Sequence, residues 1–105
     1  MDMRKLMQQA QQMQAQVAKA QESLAFETVE ASTGGGMVQV TATGTGEIKS
    51  IRIDPEAVDT DDIELLEDMV LAAVNEAHRA ASALAESKMN SAVPGGLGGL
   101  GLPGM

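Results

Sequence analysis

The apolar positions Met3, Leu6, Ala10, Met13, Val17, Ala20 and Leu24 follow one another in alternating steps of three and four residues. That spacing lines one face of a helix and predicts a first helix from Met3 to about Leu24, with Asp2 as its N-cap. A second series, Ile63, Leu66, Val70, Ala73, Ala77, Ala80 and Leu84, repeats the spacing and predicts a helix running to about Met89. Between the two the period changes. Phe26 to Ser32 turns to short alternation and β-formers, and Met37 to Thr43 alternates cleanly, with Val38, Val40 and Ala42 on one face. Gly44-Thr45-Gly46 is a hairpin signal, and Glu47 to Ile53 is a third strand. In that strand Ile48 has the opposite parity to Ile51 and Ile53, so either a bulge shifts the register or both faces are partly covered. Asp54-Pro55 stops the strand; Asp59 or Thr60 is expected to cap the second helix, with Asp61, Asp62 and Glu64 in its first turn.

The expected fold is α+β: a long helix, a three-stranded antiparallel sheet and a second long helix, in one domain over residues 1–90. Residues 91–105, rich in Gly, Leu and Pro, form an expected flexible, disordered tail. At 1.5 Å per residue the helices are about 33 and 40 Å long. Strands of that length span about 23 Å, and three of them make a sheet about 14 Å wide. The helices overhang the sheet, so a lone copy leaves much of both seams wet. A symmetric dimer, helix against helix or sheet beside sheet, removes that exposure.

Composition narrows the chemistry. Phe26 is the one aromatic residue, and cysteine is absent, which excludes disulfides and thiolate metal sites. The opening MDMRKLMQQAQQMQ places two bases before no continuous apolar run, unlike a signal peptide or a membrane span, so a soluble cytoplasmic protein is expected. The net charge of −8 is unevenly placed: Asp54, Glu56, Asp59, Asp61, Asp62, Glu64, Glu67 and Asp68 fall together with no base among them. Salt screens such charges beyond about 8 Å at physiological ionic strength, so a remote basic patch still functions.

Catalysis finds no support. His78 is the single histidine, mid-helix beside Arg79, and no nucleophile–base pair accompanies it. The acidic block lacks the third oxygen donor and the glycine of a calcium loop, Ile63 standing where the donor would be. Gly34-Gly35-Gly36 leads into a strand instead of a helix and reads as a turn, not a phosphate loop. No cofactor or metal is expected. Without Tyr or Trp the chain cannot stack single-stranded bases in the usual way, and if DNA is bound, phosphate contacts and duplex shape are expected to dominate.

The run Val29-Glu30-Ala31-Ser32-Thr33-Gly34-Gly35-Gly36-Met37-Val38-Gln39-Val40-Thr41, followed by Gly44-Thr45-Gly46-Glu47-Ile48-Lys49-Ser50-Ile51-Arg52-Ile53-Asp54-Pro55, is similar to the central motif of the YbaB/EbfC family of bacterial nucleoid-associated proteins. Asp61 to Ala77 (DDIELLEDMVLAAVNEA) resembles the segment that follows it in that family, and the likeness extends over roughly residues 1 to 90. The resemblance implies a tweezer-like homodimer with projecting helices. It also implies double-stranded DNA as ligand, with nucleoid organisation and gene regulation as the role, in the cytoplasm and nucleoid. Arg4 and Lys5 match the family's DNA-contacting helix start, and Arg79 and Lys88 lie along the second helix. Gln39 stands where the family often has Lys, Thr45 where Lys or another polar residue is common, and Ala80 and Ala81 follow Arg79 where a further base is frequent. This member is poorer in cations.

The candidate DNA-binding residues are therefore Arg4 and Lys5, with Lys19, Lys49, Arg52, Arg79 and Lys88 as secondary candidates. The partners expected are double-stranded DNA and a second copy of the chain, with no membrane. The alternative is an acidic protein-interaction or adaptor module with little intrinsic DNA affinity, whose partner is a further protein.

Overall fold

The structure, a computed structural model, describes residues 2–92. Helix α1 (Met3–Leu24) is built from Gln, Ala, Met and Lys, all good helix formers, and opens where the Asp2 carboxylate accepts the Arg4 N–H at 3.0 Å. Strands β1 (Thr28–Thr33), β2 (Val38–Thr43) and β3 (Ile48–Ile53) form one antiparallel sheet in sequence order. Helix α2 (Ile63–Ala92) closes the described chain, three residues beyond the expected end. The remainder of the tail, residues 93–105, lies outside the described residues.

One face of the sheet carries the core. Val38, Val40 and Ala42 of β2 are fully buried against Ala73 and Ala77 of α2, flanked by Val29 and Ala31 of β1. Alanines on the underside of α2 let the helix axis come close to the strands. The buried line on α2 then runs Ala73, Ala77, Ala81, not through Ala80 as the alternating spacing suggested. A straight helix turns 3.6 residues per cycle, so over two heptads the buried side drifts past a strict 3.5 repeat. The Thr33 hydroxyl donates to the Met69 carbonyl at 2.8 Å and ties the far end of β1 to the same helix.

The parity conflict in β3 is resolved by a bulge. Thr41 pairs with Ser50 but Ala42 pairs with Ile48, leaving Lys49 as the extra residue. Ile48, Ile51 and Ile53 thereby share the core-side face. Helix α2, however, lies over β1 and β2, so Ile51 and Ile53 stay 46% and 41% exposed.

The second helix starts later than expected. Asp62 is its cap, accepting the Leu65 N–H at 3.3 Å, because Asp59 is already engaged in a turn of its own with the Asp61 N–H at 2.9 Å. Asp54 similarly closes the short turn Pro55–Ala57 by accepting the Glu56 N–H. The glycine run Gly34–Gly36 makes a tight turn with φ of +62°, +67° and +94°, backbone angles that explain the residue type without any ligand.

The molecule is long: 71 × 31 × 16 Å, with a radius of gyration of 19.6 Å against about 13 Å for a compact domain of this length. The cause is α1. Only its last turns are held, with Ala20 and Leu24 buried and Val17 half-buried, while residues 2–16 are exposed throughout. The joint is Gly44, in the β2–β3 turn, whose N–H donates to the carbonyls of Leu24 (3.0 Å) and Glu27 (2.9 Å).

A Cβ at Gly44 would lie 2.6 Å from Leu24 Cδ2 and 3.0 Å from the Leu24 carbonyl oxygen. Gly44→Ala is therefore expected to lower unfolding free energy by about 1–3 kcal/mol, as overpacking against a buried side chain does. Urea denaturation measures it; an unchanged midpoint would mean that the helix end retreats freely.

Candidate nucleic-acid interface

Each candidate cation has a definite place. Arg4 and Lys5 sit in the first turn of α1, at the free end of the arm, and both are exposed. With 100° of rotation per residue, Arg4, Lys5 and Lys19 lie roughly 120–160° around the helix from the seam Met3–Leu6–Ala10–Met13–Val17. The arm thus has an apolar side and, opposite it, a cationic one. Over residues 2–20 there are three bases and a single acid, Asp2, which reverses the sign of the chain as a whole.

The secondary candidates are scattered. Lys19 lines a shallow groove of about 360 Å³ with Gln16, Ala20, Ser23, Lys88 and Ser91. Lys88 is engaged structurally: its Nζ reaches Glu27 Oε2 at 2.6 Å and Ser23 Oγ at 2.8 Å, bracing α2 against the base of the arm. Arg79 is paired with Glu76 on the exposed side of α2, with Nε at 3.0 Å and Nη2 at 2.7 Å from the same carboxylate oxygen. Such an exposed pair is weak and releases its cation readily. Arg52 stands opposite Gln39 on the polar face of the sheet, and Lys49 is the bulge residue. The structure brings Lys19 and Lys88 to one groove and Lys49 and Arg52 to one edge strand. It does not gather the seven into one patch.

The acids occupy the other end. The block from Asp54 to Asp68 spans the turn after β3 and the start of α2, at the end of the sheet remote from Gly44 and the arm. Asp54 and Asp59 close turns, and Asp62 caps α2. Among the described residues no group of His, Cys, Asp or Glu is arranged to hold a metal ion, and His78 is exposed on α2. A hollow of about 480 Å³ between the end of α1, the β2–β3 turn and α2 is an open groove lined mainly by Ala, Gly and Leu24. No helix among the described residues is long and apolar enough to cross a membrane.

Two features escaped the sequence. The Lys88–Glu27 brace joins residues 61 positions apart, and nothing local marks it. The open isoleucine strip on β3 was half visible as a parity conflict, but which strand α2 leaves bare is a matter of tertiary packing.

Comparison with known proteins places this geometry. The model of the YbaB/EbfC DNA-binding family matches residues 1–97. A nucleoid-associated protein of Ruminiclostridium cellulolyticum is 55% identical over 104 residues, covering 99% of this chain and 88% of the relative. Nucleoid-associated proteins of Mycobacterium sp. (strain KMS), 49% identical over 99% of this chain and 94% of the relative, and of Chloroflexus aurantiacus, 51% identical over 95% and 99%, are similarly close. Among solved structures, the uncharacterized protein HP0035 from Helicobacter pylori superposes with a TM-score of 0.69 at 25% identity, covering 79% of this chain and 87% of that one.

Replacing Lys88 with Met keeps the apolar stem and removes the charge. The variant is expected to lose at most about 1 kcal/mol of stability, since the pair is partly solvated. It should also exchange its amide protons faster in the last turns of α1. Exchange confined to residues outside α1 would show that the brace does not hold the arm.

Proposed function

This chain belongs to the YbaB/EbfC DNA-binding family, and on that premise we propose that it acts as a homodimer gripping double-stranded DNA with the cationic faces of its two α1 arms. The family is one of nucleoid-associated DNA-binding proteins, not of enzymes. The observation that supports the arm as the contact is its freedom: residues 2–16 are exposed, and Arg4 and Lys5 sit at the tip on the side away from the seam. A long, thin helix with cations at its end reaches phosphates while the acidic pole stays tens of ångströms behind, beyond a Debye length. With no aromatic residue in α1, recognition rests on phosphates and duplex shape, which gives modest sequence selectivity. Lys19, Lys49, Arg52, Arg79 and Lys88 are secondary contributors, Lys88 the least available because Glu27 already holds it. The role that follows is nucleoid organisation and gene regulation, in the cytoplasm at the nucleoid.

The dimer is supported by Ile51 and Ile53. They form an apolar strip beside α2 on an edge strand, extended at the same end by Val58 and Ile63, both also exposed. A two-fold contact there sets the two strips face to face and leaves both arms projecting. A second reading, in which the acidic pole recruits another protein and DNA affinity is slight, is favoured by the net charge of −8.

Fluorescence anisotropy against a random-sequence duplex tests the first reading. Two phosphate contacts per subunit give a log–log salt slope of about −3.6 for the dimer. Neutralising both residues (Arg4→Gln with Lys5→Gln) should flatten that slope and weaken binding at least tenfold, without loss of thermal stability, because cations at a helix N-terminus oppose the dipole. Unchanged binding removes Arg4 and Lys5 from the interface, and no binding at the lowest salt favours the protein-recruiting reading. Separately, Ile51→Glu should halve the native mass measured by light scattering; an unchanged mass places the dimer contact elsewhere.

A further inference from the structure

The arm has a second side that DNA binding leaves unused. Its seam, Met3, Leu6, Ala10, Met13 and Val17, keeps an unbroken heptad spacing, and among the described residues nothing covers it short of Val17: Met3 is 71% exposed, Met13 43%. We infer that this seam docks against the same seam on α1 of a second copy, joining one dimer to the next.

Three observations select another α1 as the occupant. Heptad spacing is the pattern by which helices pack on helices through interlocking side chains, and it is maintained here far beyond the point where the chain's own α2 provides a partner. The positions that flank the seam, Met7, Gln9, Gln14 and Gln16, carry no charge. In paired helices those are the positions where charges choose or reject partners, so two identical arms meet here without repulsion. The cations Arg4, Lys5 and Lys19 all fall on the opposite side, so pairing neither buries a charge nor hides the DNA-binding face.

The size of the contact sets its character. A free seam of about fifteen residues is roughly 22 Å long and a helix about 10 Å wide, well below the ~800 Å² per partner of a stable interface. Alone it is a weak, concentration-dependent contact; between proteins held on one DNA it gains from high local concentration. Paired arms then present cationic faces pointing in opposite directions, an arrangement that holds two duplex segments together. The joining of dimers rests on the dimer proposed above, whereas seam-to-seam contact does not.

The chain lacks cysteine, so single cysteines report on the contact directly. Ala10→Cys lies at mid-seam and meets its counterpart whether the helices run parallel or antiparallel; Gln8→Cys lies on the opposite side. In the full chain, without DNA and at high protein concentration, mild oxidation should link Ala10→Cys and not Gln8→Cys. Adding Met13→Glu should abolish the link. Under native conditions the linked material should have at least twice the dimer mass. In an Ile51→Glu background Ala10→Cys should still link pairs of chains, which separates failure of the dimer contact from failure of the seam. Equal linking at both sites, or no linking at Ala10→Cys, overturns the inference; the latter result leaves the seam to residues 93–105 or to a foreign protein. Linked material that keeps the mass of one dimer, or linking lost with Ile51→Glu, overturns it too, by placing the two arms within one dimer.

Discussion

The direction of the arm depends on one backbone contact. Gly44 shares its N–H between the carbonyls of Leu24 and Glu27, and it does so from a distance only a residue without a side chain can reach. The last turn of α1 is thereby pressed onto the β2–β3 turn, Leu24 is driven into the space beside Ala81, and the rest of the helix must leave the body on that heading. Burial of Ala20 and Leu24 and the Lys88–Glu27 brace secure the position. They could not hold it unchanged if the turn carried a Cβ, because that atom would meet the buried Leu24 side chain at 2.6 Å and its carbonyl oxygen at 3.0 Å.

Around that joint the chain separates its charges by distance. The acids gather at one end, where several close turns and cap α2, and the bases of α1 lie at and toward the other. A net-negative protein can then approach a polyanion, because what a phosphate experiences within a Debye length of the arm is the arm's own sign. Net charge is a poor guide to ligand when the molecule is several Debye lengths long.

Much of this was legible in the sequence, because most of it is local. The Asp2 cap, the extent of α1, the three strands and their turns, and the inward face of β2 all follow from periodicity and turn chemistry within a few residues. The conflict at Ile48 was legible as a conflict, and the bulge at Lys49 is its resolution. The errors have common causes. The 3.5-residue repeat points to Ala80, whereas a helix that is not supercoiled buries Ala81. Asp59 or Thr60 is expected as the cap of α2, whereas Asp62 caps it: several polar residues in succession offer equivalent caps, and the turn closed by Asp59 decides among them. The Lys88 brace and the uncovered strip on β3 depend on how elements far apart in sequence come together. For the interface, the sequence singled out the cations but not their company: Lys88 is committed within the fold, Arg79 is loosely paired, and Arg4 and Lys5 stand free.

The joint at Gly44 also makes the arm a cantilever. About 20 Å of free helix separates Val17 from Arg4, so a rotation of 10° at its root swings the tip by about 3.5 Å, as much as the 3.4 Å axial rise per phosphate of one strand. If the arm grips DNA as proposed, a tip on so long a lever tolerates differences in groove width and curvature by flexing at its root, with no change in its own conformation. The same mechanics deny it the fixed purchase needed to tell one base edge from another.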